Sequence, residues 1–198
     1  SGADSNLEVT DSEKKLSAPL MNGKVELRGK LDLRARNIVD GSRSFLDFKT
    51  VQNKETYLKI AHMAEQLKIY ILLENMVEDD DSRVDGAIYR LLKKVKRTAT
   101  AKPPFYEDFH LRHNRKTMEN FWMGLHGVVG DMLVLRQQLD DGASPIQVAY
   151  PTPSNDCSWK CPFYTACPMF DDGSAVWEYI DDNFEQYDSY QRYEEETK

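Results

Sequence analysis

The sequence predicts an α/β fold. Two stretches alternate apolar and charged residues as half-buried strands do, a turn signal joins them, and two longer stretches carry apolar residues at helical spacing. Residues 1–20 are polar and mixed and read as a flexible lead-in. Over residues 25–36, Val25, Leu27, Leu31, Leu33 and Ala35 alternate with charges, the pattern of a strand with one face buried. Asp40-Gly41-Ser42 is a turn signal and residues 44–51 form a second strand, so the pair predicts a β-hairpin. Residues 55–77 place Ile60, Ala64, Leu67 and Ile71 at helical spacing, one long helix ended by an acidic loop over 78–81. Over 84–96, Ile88, Leu91, Leu92 and Val95 gather on one side with Lys93, Lys94 and Lys96 elsewhere, which predicts another helix, broken by Pro103-Pro104. Residues 105–113 read as a strand. Asn114 is an N-cap for a helix to about residue 139, with Met118, Phe121, Leu125, Val128, Val129 and Met132 as its buried stripe. A Gly/Pro/Ser loop over 140–156, a cysteine segment, an amphipathic stretch over 176–184 and a Tyr/Glu-rich end that reads as disordered complete the chain. The expected division is a lead-in over 1–20, a core over 21–150, a cysteine-rich element over 151–172 and an acidic tail over 173–198.

The 198 residues carry a net charge of -7, unevenly spread. Residues 171–198 hold ten acids and two bases, so the rest of the chain sums to +1, and residues 83–116 hold ten bases against three acids. The acidic tail therefore hides a basic segment, and the whole-chain charge does not exclude a nucleic-acid role. Three cysteines cannot all pair with one another, which argues against a secreted disulfide scaffold. No apolar run approaches the ~20 residues of a membrane span, and the first residues show no basic region followed by an apolar core, so neither a span nor a signal peptide is expected.

Asp47 and Lys49 lie two apart on the second strand and share a face, with Leu46 and Phe48 on the other. If Asp32 of the first strand lies on the same face, two carboxylates and an ammonium converge. That set suits Mg²⁺ or Mn²⁺, hard cations that take carboxylate oxygen, water and substrate phosphate as ligands, and that polarise a phosphoryl oxygen and acidify an attacking water. Lys49 would orient that water or offset developing charge, and acting as a base would require its pKa to fall. Asp-x-Lys alone fits the solvent face of an ordinary hairpin better than a metal site, because short motifs match by accident. The following helix adds weight, because Gln66 and Tyr70 stand at i and i+4 on one face.

The ordered set Gly29-Lys30-Leu31-Asp32, Leu46-Asp47-Phe48-Lys49-Thr50 and Gln66-Leu67-Lys68-Ile69-Tyr70 resembles the motifs of the RecB-like branch of the PD-(D/E)XK nucleases, over residues 24–75. The resemblance implies a restriction-endonuclease-like core, a small central mixed sheet flanked by helices. It implies that Asp32 and Asp47 are metal ligands, that Lys49 is the catalytic lysine, and that Gln66 and Tyr70 position the nucleic-acid strand and the active-site groups.

Cys157, Cys161 and Cys167 are spaced C-x3-C-x5-C. Clustered thiols of this kind read as metal ligands or as buried thiols, and structural zinc and cubane iron–sulfur clusters both want four ligands. Members of the CRISPR-associated exonuclease family and related bacteriophage exonucleases carry three C-terminal cysteines that complete a [4Fe–4S] cluster with a distant upstream one. The segment from Pro103-Pro104-Phe105 through Arg112-His113-Asn114 to the cysteines and Asp171-Asp172-Gly173 is most similar to the phage-encoded members. The resemblance implies a [4Fe–4S] cluster on these thiols, with zinc as the alternative. The first cysteine gap here is three residues where two is usual, no cysteine lies upstream, and no early helix with an active-site His or Glu precedes the hairpin. The chain is accordingly expected to be a C-terminal portion of a longer protein.

Lys93, Lys94, Lys96, Arg97, Arg112 and Arg115, with Arg90, Lys102 and Lys116, flank Phe105, Tyr106 and Phe109. Cations neutralise phosphates and aromatic faces stack on unpaired bases, so this segment reads either as a single-strand track or as a solvated helix face over a core. His62, His110, His113 and His126 form no ligand pair at useful spacing and read as structural, although His113 could touch a phosphate. The expected function is a metal-dependent DNA nuclease. By the resemblance it is an exonuclease on single-stranded DNA or DNA ends, working with replication or recombination proteins in a bacterial cytoplasm. The alternative is a catalytically inactive DNA-binding or assembly module of the same fold.

Overall fold

The structure is a computed structural model that describes residues 5–77, 84, 86–96, 98, 103–148, 152–188 and 191. It forms two compact units, Ser1–His126 and Gly127–Lys198. The first unit holds five strands, β1 (Leu7–Leu20), β2 (Val25–Asn37), β3 (Arg43–Val51), β4 (Gly86–Lys93) and β5 (Tyr106–Arg112), in the sheet order β1-β2-β3-β4-β5. β3 and β4 run parallel and every other neighbouring pair is antiparallel. The parallel step requires a crossover, which α1 (Lys54–Ala61) and α2 (Glu65–Val77) supply. The expected α/β class with a mixed central sheet is what the chain adopts.

The lead-in expected over residues 1–20 is, from Leu7 to Leu20, the edge strand β1. Leu16, Ala18 and Leu20 are buried and alternate with exposed Ser17 and Pro19. Its first half is polar because that part has little core to face, so the alternation occupies only the end of the strand. The helix expected over 84–96 is instead the strand β4. β4 is paired on both sides, and Ala87, Ile88, Tyr89 and Leu91 are buried on both of its faces. A strand buried on both faces loses its period of two and reads as a continuous apolar run. The single helix expected over 55–77 is two helices, parted at His62-Met63-Ala64. Asn53 caps the first by accepting from the Thr56 N–H at 3.2 Å. The turn lets Tyr57, Leu58 and Ala61 of α1 and Leu67 and Ile71 of α2 reach the same cluster on the sheet, with Leu16, Leu31, Phe45 and Leu91.

At Gly29 the side chains of α2 press close on the sheet. A Cβ there would lie 2.7 Å from Leu73 Cδ1 and 3.1 Å from Tyr70 Cε1. Gly29→Ala is therefore expected to lower stability by about 1–3 kcal/mol, as overpacking of a tight core does, measured by denaturant unfolding.

α3 (Arg115–Asp140) starts as expected, with Asn114 Oδ1 accepting from the Thr117 N–H at 2.8 Å. Of its expected buried stripe only Val129 is buried, while Val128 and Met132 are about 60% exposed. Helical spacing marks an apolar face but not what covers it. The second unit continues with the short helices α4 (Pro145–Val148), α5 (Cys157–Lys160) and α6 (Met169–Asp172), then α7 (Val176–Asn183), which covers the expected amphipathic stretch. Among the described residues no helix is long and apolar enough to cross a membrane. The expected acidic loop over 78–81, Arg97 and Lys102 lie outside the described residues.

Candidate active site

The hydrogen-bonded pairing of β2 with β3 runs only from Arg36↔Arg43 to Leu33↔Leu46. One residue further on, at Asp32 and Asp47, the two strands part. β2 also changes phase there. The β1–β2 ladder pairs Ser12 with Leu33 and Lys14 with Leu31 but skips Glu13 and Asp32, and Glu13 has a φ of 53°. Leu31 packs under α2, whereas Leu33 packs on the opposite face with Leu46 and Ile88. An irregularity of this kind re-aims a side chain. Here Asp32 Oδ2 accepts the Phe48 backbone N–H at 3.0 Å, bridging the fork with its carboxylate.

Asp47 projects to the helical face of the sheet beside Phe45 and is only 2% exposed. Lys49 follows on the same face, and its Nζ lies 2.8 Å from Asp47 Oδ2. The Lys49 ammonium also donates to Gln66 Oε1 at 3.1 Å. Gln66 Nε2 in turn donates to the Tyr70 hydroxyl at 3.0 Å, the i to i+4 contact of one face of α2. The five residues read from the sequence thus form one connected cluster at the fork: Asp32 and Asp47 on the strands, Lys49 between strand and helix, Gln66 and Tyr70 on the helix.

The electrostatics follow from burial. Burial pushes the Asp47 carboxyl above its usual range, the Lys49 hydrogen bond and charge act against that, and the nearby Asp32 charge adds to it. For Lys49, burial is the largest influence and works against the ammonium, but the hydrogen bond and charge of Asp47, with Tyr57 and Asp32, outweigh it and raise the pKa. Lys49 is therefore a cation at neutral pH in the metal-free protein. Burial also raises Tyr70.

Two further residues stand near the cluster. Tyr89 is the β4 register partner of Asp47, and Tyr57 of α1 stands edge-on to it with ring centroids 5.4 Å apart. Their hydroxyls hydrogen-bond, and both sense the charge of Asp47. No spacing joins Tyr57 to Tyr89, because the crossover alone brings them together.

Among the described residues the basic side chains do not form one track. Lys93, Lys94 and Lys96 are exposed at the C-terminal end of β4, where the Lys94 N–H bonds Val51 O. Arg112 pairs with Gly86 at the other end of the same strands, seven residues and roughly 23 Å from Lys93 at strand spacing. Arg115 follows it and pairs with Glu119 at 2.8 Å. Arg90 is held between β4 and β5 by Asp108, with two contacts of 2.7 Å. In the second unit the three cysteines are free thiols, Cys161 exposed and the other two half-buried.

Asp32 and Asp47 suit a hard divalent cation. Both are oxygen donors, and Asp47 Oδ2 is buried and, among the described residues, accepts no well-aligned hydrogen bond, lying 2.8 Å from the Lys49 charge. Two adjacent carboxylates, one raised by burial, are what a cation would relieve. Among the described residues no third His, Cys, Asp or Glu joins them, so further ligands would be water, backbone or substrate, as Mg²⁺ prefers. The cysteines suit iron–sulfur or zinc by donor chemistry, but among the described residues they do not converge into a ligand group.

A family model for the PD-(D/E)XK nuclease superfamily matches residues 3–168. Among solved structures, one described as the crystal structure of SSO0001 is similar, with 16% identity and a TM-score of 0.44. That match covers 84% of this chain and 62% of the other, so the chain spans less than two thirds of that protein's length. No curated protein matches the chain.

Proposed function

The chain belongs to the PD-(D/E)XK nuclease superfamily, and from that membership we propose that it is a divalent-metal-dependent deoxyribonuclease that hydrolyses phosphodiester bonds. The observation that carries the reading is the buried Asp47 carboxylate beside Asp32, ion-paired to Lys49 at 2.8 Å. Asp32 and Asp47 would hold Mg²⁺ or Mn²⁺. When bound, the cation supplies polarisation of the phosphoryl oxygen and a more acidic attacking water.

The chain's own groups complete the chemistry. Lys49 stays charged and sits where negative charge develops on the phosphate, which it offsets. Gln66 is fixed by accepting from Lys49 and donating to Tyr70. Because the Tyr70 hydroxyl already accepts from Gln66, its proton is free to donate to a substrate oxygen.

The finer reading, an exonuclease of the RecB-like branch acting on single-stranded DNA or DNA ends in phage replication, recombination or repair, draws on the motif order of Asp32, Asp47-Phe48-Lys49 and Gln66-x-x-x-Tyr70. Its setting would be a bacterial cytoplasm. Cys157, Cys161 and Cys167 would serve a [4Fe–4S] cluster, with zinc the alternative. Metal analysis and an absorption spectrum of protein purified without oxygen distinguish the two.

Lys49→Ala is the direct test. Removing one electrostatic stabiliser of a transition state costs about 10²–10³ in kcat, so Mn²⁺-dependent cleavage should fall by about that factor while DNA binding in EDTA persists. Unchanged cleavage would remove Lys49 from the site. Binding without any divalent-dependent turnover by the unaltered chain would instead make it a DNA-binding module of this fold.

A further inference from the structure

A cavity apart from the Asp32–Asp47–Lys49 cluster borders α2. With a volume of about 640 Å³, it opens between α2 and the first turns of α3, walled by Ile71, Leu72, Met76, Met118 and Trp122. That volume falls in the range of small-molecule sites, about 300–1,000 Å³ with mostly apolar walls and few polar groups. Of the polar side chains lining it, Asn75 is spent, since its amide bonds the Val84 N–H and C=O at 2.8 Å each. His113 is not. Its ring is 9% exposed, and Nε2 is buried without a hydrogen-bond partner. Burial, with the Lys68 and His62 charges, keeps the imidazole neutral. A buried polar atom left unmade costs about 1–3 kcal/mol, so this nitrogen is available to a ligand that brings its own partner.

The mouth of the cavity is set for an anion. α3 begins there, and with the Thr117 N–H taken by the Asn114 cap, the N–H groups of Arg115 and Lys116 and the helix dipole present partial positive charge. Its first turn holds no acid and carries Arg115 and Lys116. Glu119 lies at the rim but is occupied by Arg115 at 2.8 Å and Lys116 at 4.0 Å, which leaves one net positive charge. Arg115 meets Glu119 through Nε, and its remaining guanidinium N–H groups are the type of donor a phosphate takes. A planar, largely apolar ring with one hydrogen-bonding edge and an attached anion matches walls, imidazole and rim together.

We propose that this cavity binds a nucleotide, with the base among Met118, Trp122 and the α2 side chains against His113 Nε2, and the phosphate at the start of α3 beside Arg115. The nucleotide is either a free mononucleotide or an unpaired residue of a DNA strand. Choosing a nucleotide among aromatic anions rests on the nuclease reading, but the binding itself requires no turnover.

The test is calorimetric titration of the full chain in EDTA with dAMP, with a short single-stranded oligonucleotide and with the same oligonucleotide made abasic throughout. Two variants accompany it: His113→Phe, which keeps the volume and removes Nε2, and Met118→Trp, which fills the cavity. Binding of dAMP, or a preference for the normal over the abasic strand, weakened at least tenfold by either variant supports the site, and which of the two ligands responds identifies the source. If neither ligand binds, or both variants bind as the unaltered chain does, the proposal is overturned. Should Met118→Trp fail to fold, His113→Phe decides alone. Because no cleavage is read, a negative result here leaves the Asp32–Asp47–Lys49 assignment standing, and unchanged cleavage by Lys49→Ala leaves this one standing.

Discussion

Asp47→Asn is expected to abolish divalent-dependent cleavage, by about 10³-fold or more in kcat, while raising the melting temperature of the metal-free protein. The first half follows from removing one of the two carboxylates that would hold the cation, on which both phosphate polarisation and water activation depend. A 10³-fold loss corresponds to about 4 kcal/mol of transition-state stabilisation. The second half follows from the sign of the Asp47 shift. Its folded-state pKa lies above the ordinary 3.8 because burial outweighs the attraction of Lys49 and Asp32 adds repulsion. An acid whose folded pKa is raised contributes stability that is complete below pH 3.8 and is lost as pH climbs through the folded value. At neutral pH the ionised Asp47 therefore destabilises the fold even with Lys49 opposite, and a neutral amide of the same shape relieves that. Thermal melts of both proteins between pH 3 and 8 should diverge upward through this window, the variant being the flatter. Adding Mg²⁺ should raise the melting temperature of the unaltered protein, through preferential binding to the folded state, and leave Asp47→Asn unmoved. A variant that melts lower than the unaltered protein at neutral pH would show that the ion pair, not burial, governs this carboxylate.

The legibility of the chain divides along the same physical line. β2, β3 and the start of α3 announce themselves because each has one buried face or a local cap, and such features repeat within a few residues. β4 did not, since it is covered on both sides, and β1 did not, since its apolar alternation is confined to Leu16, Ala18 and Leu20. At the site, Asp32, Asp47, Lys49, Gln66 and Tyr70 were legible as an ordered set. What the sequence left hidden is how they meet. The phase change of β2 at Asp32 lies opposite Glu13 of β1, a strand expected to be a flexible lead-in. Tyr57 and Tyr89 meet only through the β3-to-β4 crossover. The basic segment misled for a related reason. Ten bases within residues 83–116 read as one patch, but β4 and β5 are antiparallel and carry Lys93 and Arg112 to opposite ends, while Asp108 takes up Arg90.

Breaking the ion pair between Arg34 and Glu74 is expected to be the most destabilising change in the first unit. The Arg34 side chain is 5% exposed and that of Glu74 1%, and Arg34 Nη1 also reaches Asp11 at 3.3 Å. Removing one partner of a buried pair strands the other charge and costs about 3–5 kcal/mol, a large part of the 5–15 kcal/mol that holds a typical domain. Glu74→Leu and Arg34→Met should each lower the denaturation midpoint accordingly. The double variant should recover most of the loss, because an apolar pair of similar volume in place of buried ions is often neutral or better. Stability is only half of the expectation. Arg34 lies two residues beyond Asp32 on β2, and Glu74 lies one turn beyond Tyr70 on α2. The pair therefore locks the helix that carries Gln66 and Tyr70 to the strand that carries Asp32, and an apolar contact, being non-directional, does not fix that register. The stable double variant should accordingly cleave more slowly, with the change in kcat, since a small misplacement of positioning groups costs up to about 10²-fold. Full recovery of both stability and kcat would reduce Arg34 and Glu74 to packing. Recovered stability with depressed kcat would mark them as the clamp that sets the helix over the fork.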